Sequence, residues 1–144
     1  VPDSVAALVR FGGGASGTIE ASWMAAGHKH TIAAEVFGTK GTLAFDFERL
    51  SELRLYPAGQ PRGREGFTTI LAGPSHPNFA AFVPAPGHQL GFNDLKTIEI
   101  RDLMVGLDAA APAPWPDFRE AWEVQKVVDA IIDSDQSGRW VPIG

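Results

Sequence analysis

The stretch Val5-Ala6-Ala7-Leu8-Val9-Arg10-Phe11-Gly12-Gly13-Gly14-Ala15-Ser16-Gly17-Thr18-Ile19-Glu20-Ala21-Ser22-Trp23 decides how this chain is read. Its glycines match G-x-G-x-x-G at Gly12, Gly14 and Gly17 and follow a β-rich run, as in a dinucleotide-binding turn. That motif works only when the glycines open a helix, whose N-terminal amides meet the pyrophosphate. Here Thr18-Ile19-Glu20-Ala21-Ser22-Trp23 alternates in character and continues as a strand, so the glycines are predicted to turn a hairpin.

Further along the chain the same β-rich pattern recurs. Residues 5–11, 16–23, 31–37, 42–47, 53–56 and 67–71 form six candidate strands. Gly12-Gly13-Gly14 and Gly38-Thr39-Lys40-Gly41 are short enough for hairpins and supply residues that tolerate positive φ, so neighbouring strands are expected to be antiparallel. Two helices follow. The first, over about 94–110, places Ile100, Leu103, Met104 and Leu107 on one stripe, with Asn93 or Asp94 as N-cap. In the second, Asp117 stands three residues before Glu120 in a capping-box-like pair; Ala121, Val124, Val128, Ile131 and Ile132 share one face, and Gly138 marks the stop. Strands first and helices afterwards predict an α+β domain with an open, mainly antiparallel sheet and helices packed on one face. At 144 residues the chain is expected to be a single domain over 1–144.

Between Ala72 and Gly91 runs a proline- and glycine-rich stretch with neither helical nor strand period. Irregular connections of that length are often functional, and Phe79, Phe82 and Phe92 need a surface to pack on, so an ordered loop lining something is expected. His76 and His88 bracket it, in Gly73-Pro74-Ser75-His76-Pro77 and Pro84-Ala85-Pro86-Gly87-His88, on backbone that proline stiffens. Either they contact a ligand or they bond loop carbonyls to hold the segment together.

Elsewhere chemistry-bearing residues are sparse. His28-Lys29-His30 puts two imidazoles on one side of an extended chain, but zinc needs three or four ligands, and a solvated turn is expected instead. Glu35, Asp46 and Glu48 offer the carboxylates a glycoside hydrolase would need, yet nothing separates them from ordinary strand and turn charges. Trp115, Trp122 and Trp140 flank the second helix and suit core or interface packing better than a sugar platform.

A net charge of −5 without a basic run argues against nucleic acid or an anionic membrane surface as partner. No apolar stretch approaches the roughly 18–20 residues that span a bilayer. The absence of cysteine removes thiolate chemistry and disulfides and suits a cytoplasmic location.

Several segments together resemble the C-terminal domain of the Gfo/Idh/MocA oxidoreductases, a family that includes glucose-fructose oxidoreductases and inositol dehydrogenases. They are Val5 to Phe11 with Gly17 to Ser22, then Glu35-Val36-Phe37-Gly38-Thr39-Lys40-Gly41-Thr42-Leu43, the His76–His88 loop, and Pro116-Asp117-Phe118 with Ser137-Gly138-Arg139-Trp140-Val141. The resemblance implies a glyceraldehyde-3-phosphate dehydrogenase-like C-terminal fold, and a longer enzyme whose separate Rossmann domain binds NAD or NADP. It also implies that the catalytic lysine of an E-K-P motif, and a histidine and aspartate on a helix before the first strand, lie outside this chain. No catalytic residue, bound cofactor or metal is then expected in this chain by itself. What the resemblance leaves to these residues is the substrate side, for a sugar or polyol, with His88 as the first candidate contact and His76 and Asn93 behind it. Relatives carry an aromatic pair near this loop, where this chain has Val83 and Phe92. The family further implies a homo-oligomer through the open sheet face, with Trp23, Phe37 and Phe45 as candidate contributors if they point outward. A stand-alone α+β binding or oligomerisation module is the competing expectation, and a small sugar hydrolase a third.

Overall fold

The structure, a computed structural model, describes residues 3–108 and 116–144. All six strands are found, as β1 (Ser4–Arg10), β2 (Ser16–Ser22), β3 (Ala33–Gly38), β4 (Gly41–Asp46), β5 (Glu52–Pro57) and β6 (Thr68–Leu71), followed by helices α1 (Phe92–Asp108) and α2 (Phe118–Ser137). This is the α+β order expected, with every pairing antiparallel. The chain divides into two compact units, Val1–Gly27 with Gly106–Gly144, and His28–Val105.

In the first unit β1 and β2 form a hairpin in which Leu8 faces Thr18 and Arg10 faces Ser16. The glycine run turns it: Gly14 adopts φ 89°, its N–H donates to Phe11 O at 2.9 Å, and the Phe11 N–H donates to Ala15 O at 2.9 Å. The G-x-G-x-x-G match therefore carries no helix, and this turn does not fit a pyrophosphate. Helix α2 opens where its sequence pattern places it, because Asp117 Oδ1 accepts the Glu120 N–H at 2.9 Å, and it closes at Gly138 in the left-handed conformation (φ 65°). Beyond it the Arg10 guanidinium lies 4.5 Å from the Trp140 ring centroid. Trp115 and the expected last residues of α1, 109–110, lie outside the described residues.

The second unit holds the sheet β3-β4-β5-β6. The described strands thus form two sheets and not one. Tight turns join β1 to β2 and β3 to β4, but residues 23–32 between β2 and β3 break alternation and bend at Gly27 (φ 99°), so β2 is not returned onto β3. Register assigns the faces of the four-stranded sheet. Val36, Leu43 and Leu55 pair across one face, with Ala34, Phe45, Leu53 and Ile70 beside them; Phe37 pairs with Thr42, which pairs with Tyr56, on the other. Phe37 and Phe45, both named from sequence as contributors to one interface, therefore stand on opposite faces.

Little of this apolar surface is buried. Among the described residues only Val83 (0% exposed) and Leu90 (6%) are buried hydrophobics, and both belong to the proline-rich loop. The helical stripes remain open, with Ile100, Leu103, Met104 and Leu107 on α1 and Val124, Val128 and Ile132 on α2 all exposed.

Candidate ligand-binding cleft

The proline-rich loop contributes the buried hydrophobics among the described residues. Val83 and Leu90 anchor it, and Asn78, forced into the left-handed region at φ 69°, accepts a hydrogen bond at its Oδ1 from Arg101 Nη2 of α1 at 2.7 Å. Arg101 is itself held by Asp102. His76 is half-buried, and its Nδ1 accepts the Gly73 N–H at 3.1 Å. The neutral ring therefore carries its proton on Nε2, leaving that N–H as its remaining donor. The ring thus meets a loop amide and not the loop carbonyl that one sequence alternative names, and Nε2 has no hydrogen-bond partner among the described residues.

His88 is exposed, with its backbone N–H donating to Ala85 O at 3.3 Å. Asn93 lies in the first turn of α1, exposed, with its carbonyl accepting the Thr97 hydroxyl at 3.1 Å. It is not the N-cap. Helix α1 begins at Phe92, because Asp94 Oδ2 reaches back to the Gly91 N–H at 2.8 Å and satisfies a donor that would otherwise be orphaned. Val83, one half of the aromatic-pair position, is wholly buried and so contacts core, whereas Phe92 is half-exposed and lines a cleft.

That cleft lies within the second unit. It has a volume of about 640 Å³, opens broadly to solvent, and is lined by Lys29, His30, Phe47, Glu48, Leu50 and Phe92. Three rings pack edge to face: His30 lies 5.0 Å from Phe47 and 6.0 Å from Phe92, and the two phenyl rings are 6.3 Å apart. Glu48 ties the adjoining turn down. Its Oε1 accepts from the Lys29 N–H (2.7 Å), the Thr31 hydroxyl (2.8 Å) and the His30 N–H (3.3 Å). Those donors favour the charged form, the Lys29 amide most and the Thr31 hydroxyl next, so the carboxyl is held below its ordinary value of 4.5.

One hydroxyl proton fixes a neighbour's tautomer. Thr31 gives its proton to Glu48, so at its 2.8 Å contact with His28 Nδ1 the hydroxyl oxygen accepts, and His28 carries its proton on Nδ1. Upstream of Glu48, Asp46 Oδ1 accepts the Glu48 N–H at 2.9 Å and caps the short 3₁₀ turn Phe47–Arg49. Behind it Arg49 forks onto Glu52 at 2.8 and 2.9 Å. Their hydrogen bond is the main reason that the Glu52 carboxyl is lowered and the Arg49 guanidinium raised.

Sequence reasoning set Glu48 among ordinary turn charges and His28-Lys29-His30 as a solvated turn. Their contact spans 17 to 19 residues, so no local spacing announces it. Among the described residues no three metal-ligating side chains gather into a site.

A family model described as the GFO/IDH/MocA C-terminal domain matches residues 1–44. Over 143 residues the chain is 34% identical to levoglucosan dehydrogenase of Pseudarthrobacter phenanthrenivorans, covering 99% of this chain and 36% of that enzyme. The chain belongs to the Gfo/Idh/MocA family, as its C-terminal domain. Solved Gfo/Idh/MocA relatives agree. An NAD binding oxidoreductase from Klebsiella pneumoniae superposes with a TM-score of 0.90 at 40% identity, over 99% of this chain and 38% of that one. Levoglucosan dehydrogenase in complex with NADH and levoglucosan gives 0.92 at 34% identity, over 99% and 39%. This Gfo/Idh/MocA chain thus spans little more than a third of the relatives it matches.

Proposed function

We propose that this chain is the substrate-side and oligomerisation domain, single over 1–144, of an NAD- or NADP-dependent oxidoreductase that acts on a sugar or polyol. The observation carrying the reading is its alignment, over 99% of its own length, with part of an enzyme whose structure is solved in complex with NADH and levoglucosan. The cofactor supplies hydride chemistry, and the protein positions the substrate against it. This chain's contribution is a wall of the substrate pocket, with His88 donating to or accepting from a hydroxyl and His76 Nε2 and Asn93 as further contacts; the residues that bind the nucleotide and carry the catalysis lie elsewhere in the protein.

Assembly is the second part of the proposal. Trp23 (89% exposed) and Phe37 (75%) are large apolar side chains left open to solvent, and a homo-oligomer through a sheet face covers such surface. The absence of cysteine accords with a cytoplasmic enzyme.

The test is initial-rate kinetics of the full-length protein with NAD⁺ and NADP⁺ against levoglucosan and L-sorbose, beside calorimetric cofactor binding. Cofactor binding together with sugar-dependent reduction is the expected result. Neither binding nor turnover would instead favour a binding module without chemistry.

A further inference from the structure

Resting on the sugar-oxidoreductase reading, we propose that the cleft formed by His30, Phe47, Glu48 and Phe92 holds the sugar ring itself. Phe47 and Phe92 take an apolar C–H face of the ring, and the second carboxylate oxygen of Glu48 accepts from its hydroxyls.

Three observations favour this occupant. The cleft's 640 Å³ falls within the roughly 300–1,000 Å³ of small-molecule sites, ample for a monosaccharide. Its walls are largely aromatic, which suits the C–H faces of a pyranose. Glu48 is a prearranged acceptor: three donors fix Oε1, while Oε2 has no hydrogen-bond partner among the described residues. A carboxylate held by three protein donors gives up little freedom when a hydroxyl binds it.

Charge narrows the ligand class further. Glu48 and Lys29 line the same cleft with opposite signs, so neither an anion nor a cation finds a dominant partner. A neutral, polyhydroxylated ring uses both, as acceptor and donor. A metal ion is disfavoured, because His30 is packed edge to face between two phenyl rings and no further ligating side chains join Glu48 into a site among the described residues.

The experiment uses the full-length protein with NAD⁺ or NADP⁺ and levoglucosan, and the variants Phe47→Leu, Glu48→Gln and Thr31→Val. Phe47→Leu keeps the apolar volume and loses the ring, so the sugar KM is expected to rise about fivefold. Glu48→Gln weakens a charged acceptor, and a rise of about tenfold is expected. In both, kcat and the KM of the cofactor stay near wild type, the pattern of lost ground-state binding. Thr31→Val removes one support of Glu48 while keeping the carboxylate, and should move the sugar KM far less. An unchanged sugar KM in Phe47→Leu and Glu48→Gln overturns the proposal. So does a Thr31→Val effect equal to that of Glu48→Gln, since both would then act through the turn. If the wild-type protein oxidises no sugar, it is the dehydrogenase reading that fails. Saturation-transfer NMR with levoglucosan then decides the cleft separately: transfer that Phe47→Leu abolishes supports it, and no transfer in wild type overturns it.

Discussion

At the residue scale, Glu48 is where charge and geometry meet, because one carboxylate oxygen gathers two backbone amides and a hydroxyl from a turn 17 to 19 residues away. Its lowered pKa carries a sign. A folded-state value below the ordinary 4.5 means that the native turn binds fewer protons, so its stabilisation is present above that value and is lost as pH falls through the folded one. Glu52, lowered chiefly by its hydrogen bond from Arg49, works in the same direction. Amide-exchange protection of Lys29 and His30 in the full-length protein should therefore fall as pH is lowered below 4.5 and through the folded-state value, and Glu48→Gln should remove that pH dependence. Ser51 offers the opposite case. It is 5% exposed with a hydroxyl that finds no partner among the described residues, so Ser51→Ala is expected to be neutral or to raise the unfolding midpoint in urea.

At the scale of elements, two positions carry most of the local logic. The N-cap of α2 rests on the Asp117 carboxylate and the Glu120 amide, and Asp117→Ala should cost about 1 kcal/mol in denaturant unfolding. Gly41, after the β3–β4 turn, adopts φ 146°, and a Cβ there would meet Tyr56 O at 2.1 Å on the neighbouring strand. Gly41→Ala should accordingly destabilise the sheet by about 2 kcal/mol or more, read as a lower unfolding midpoint. Both sites were legible in the residues, Asp117 by its spacing from Glu120 and Gly41 by its place in a Gly-x-x-Gly turn. The start of α1 was not, because its cap is a backbone N–H taken by a side chain three residues inside the helix.

For the whole molecule, the balance of buried and open surface decides behaviour. Amphipathic stripes on both helices and an apolar sheet face lie largely open, and the buried hydrophobics among the described residues are confined to one loop. Such a chain lacks the burial that offsets conformational entropy. The 144-residue chain by itself should therefore bind 8-anilinonaphthalene-1-sulfonate strongly and sediment as oligomers or aggregates at micromolar concentration. The full-length protein should bind the dye far less.

Element type, order and most boundaries follow from the residues, because alternation, glycine turns and helical stripes are local and each is satisfied within a few residues of chain. So is the rejection of the G-x-G-x-x-G match, which needed only the strand that follows it. Local pattern also picked out the proline-rich loop, but not that Val83 would be its core and Phe92 a cleft wall. The division of the strands into two sheets, the opposite facing of Phe37 and Phe45, and the meeting of His30, Phe47, Glu48 and Phe92 were decided only by the tertiary structure. Each depends on which distant strand or turn a segment meets, and the cross-strand pairs and long-range hydrogen bonds that choose it have no fixed spacing along the chain.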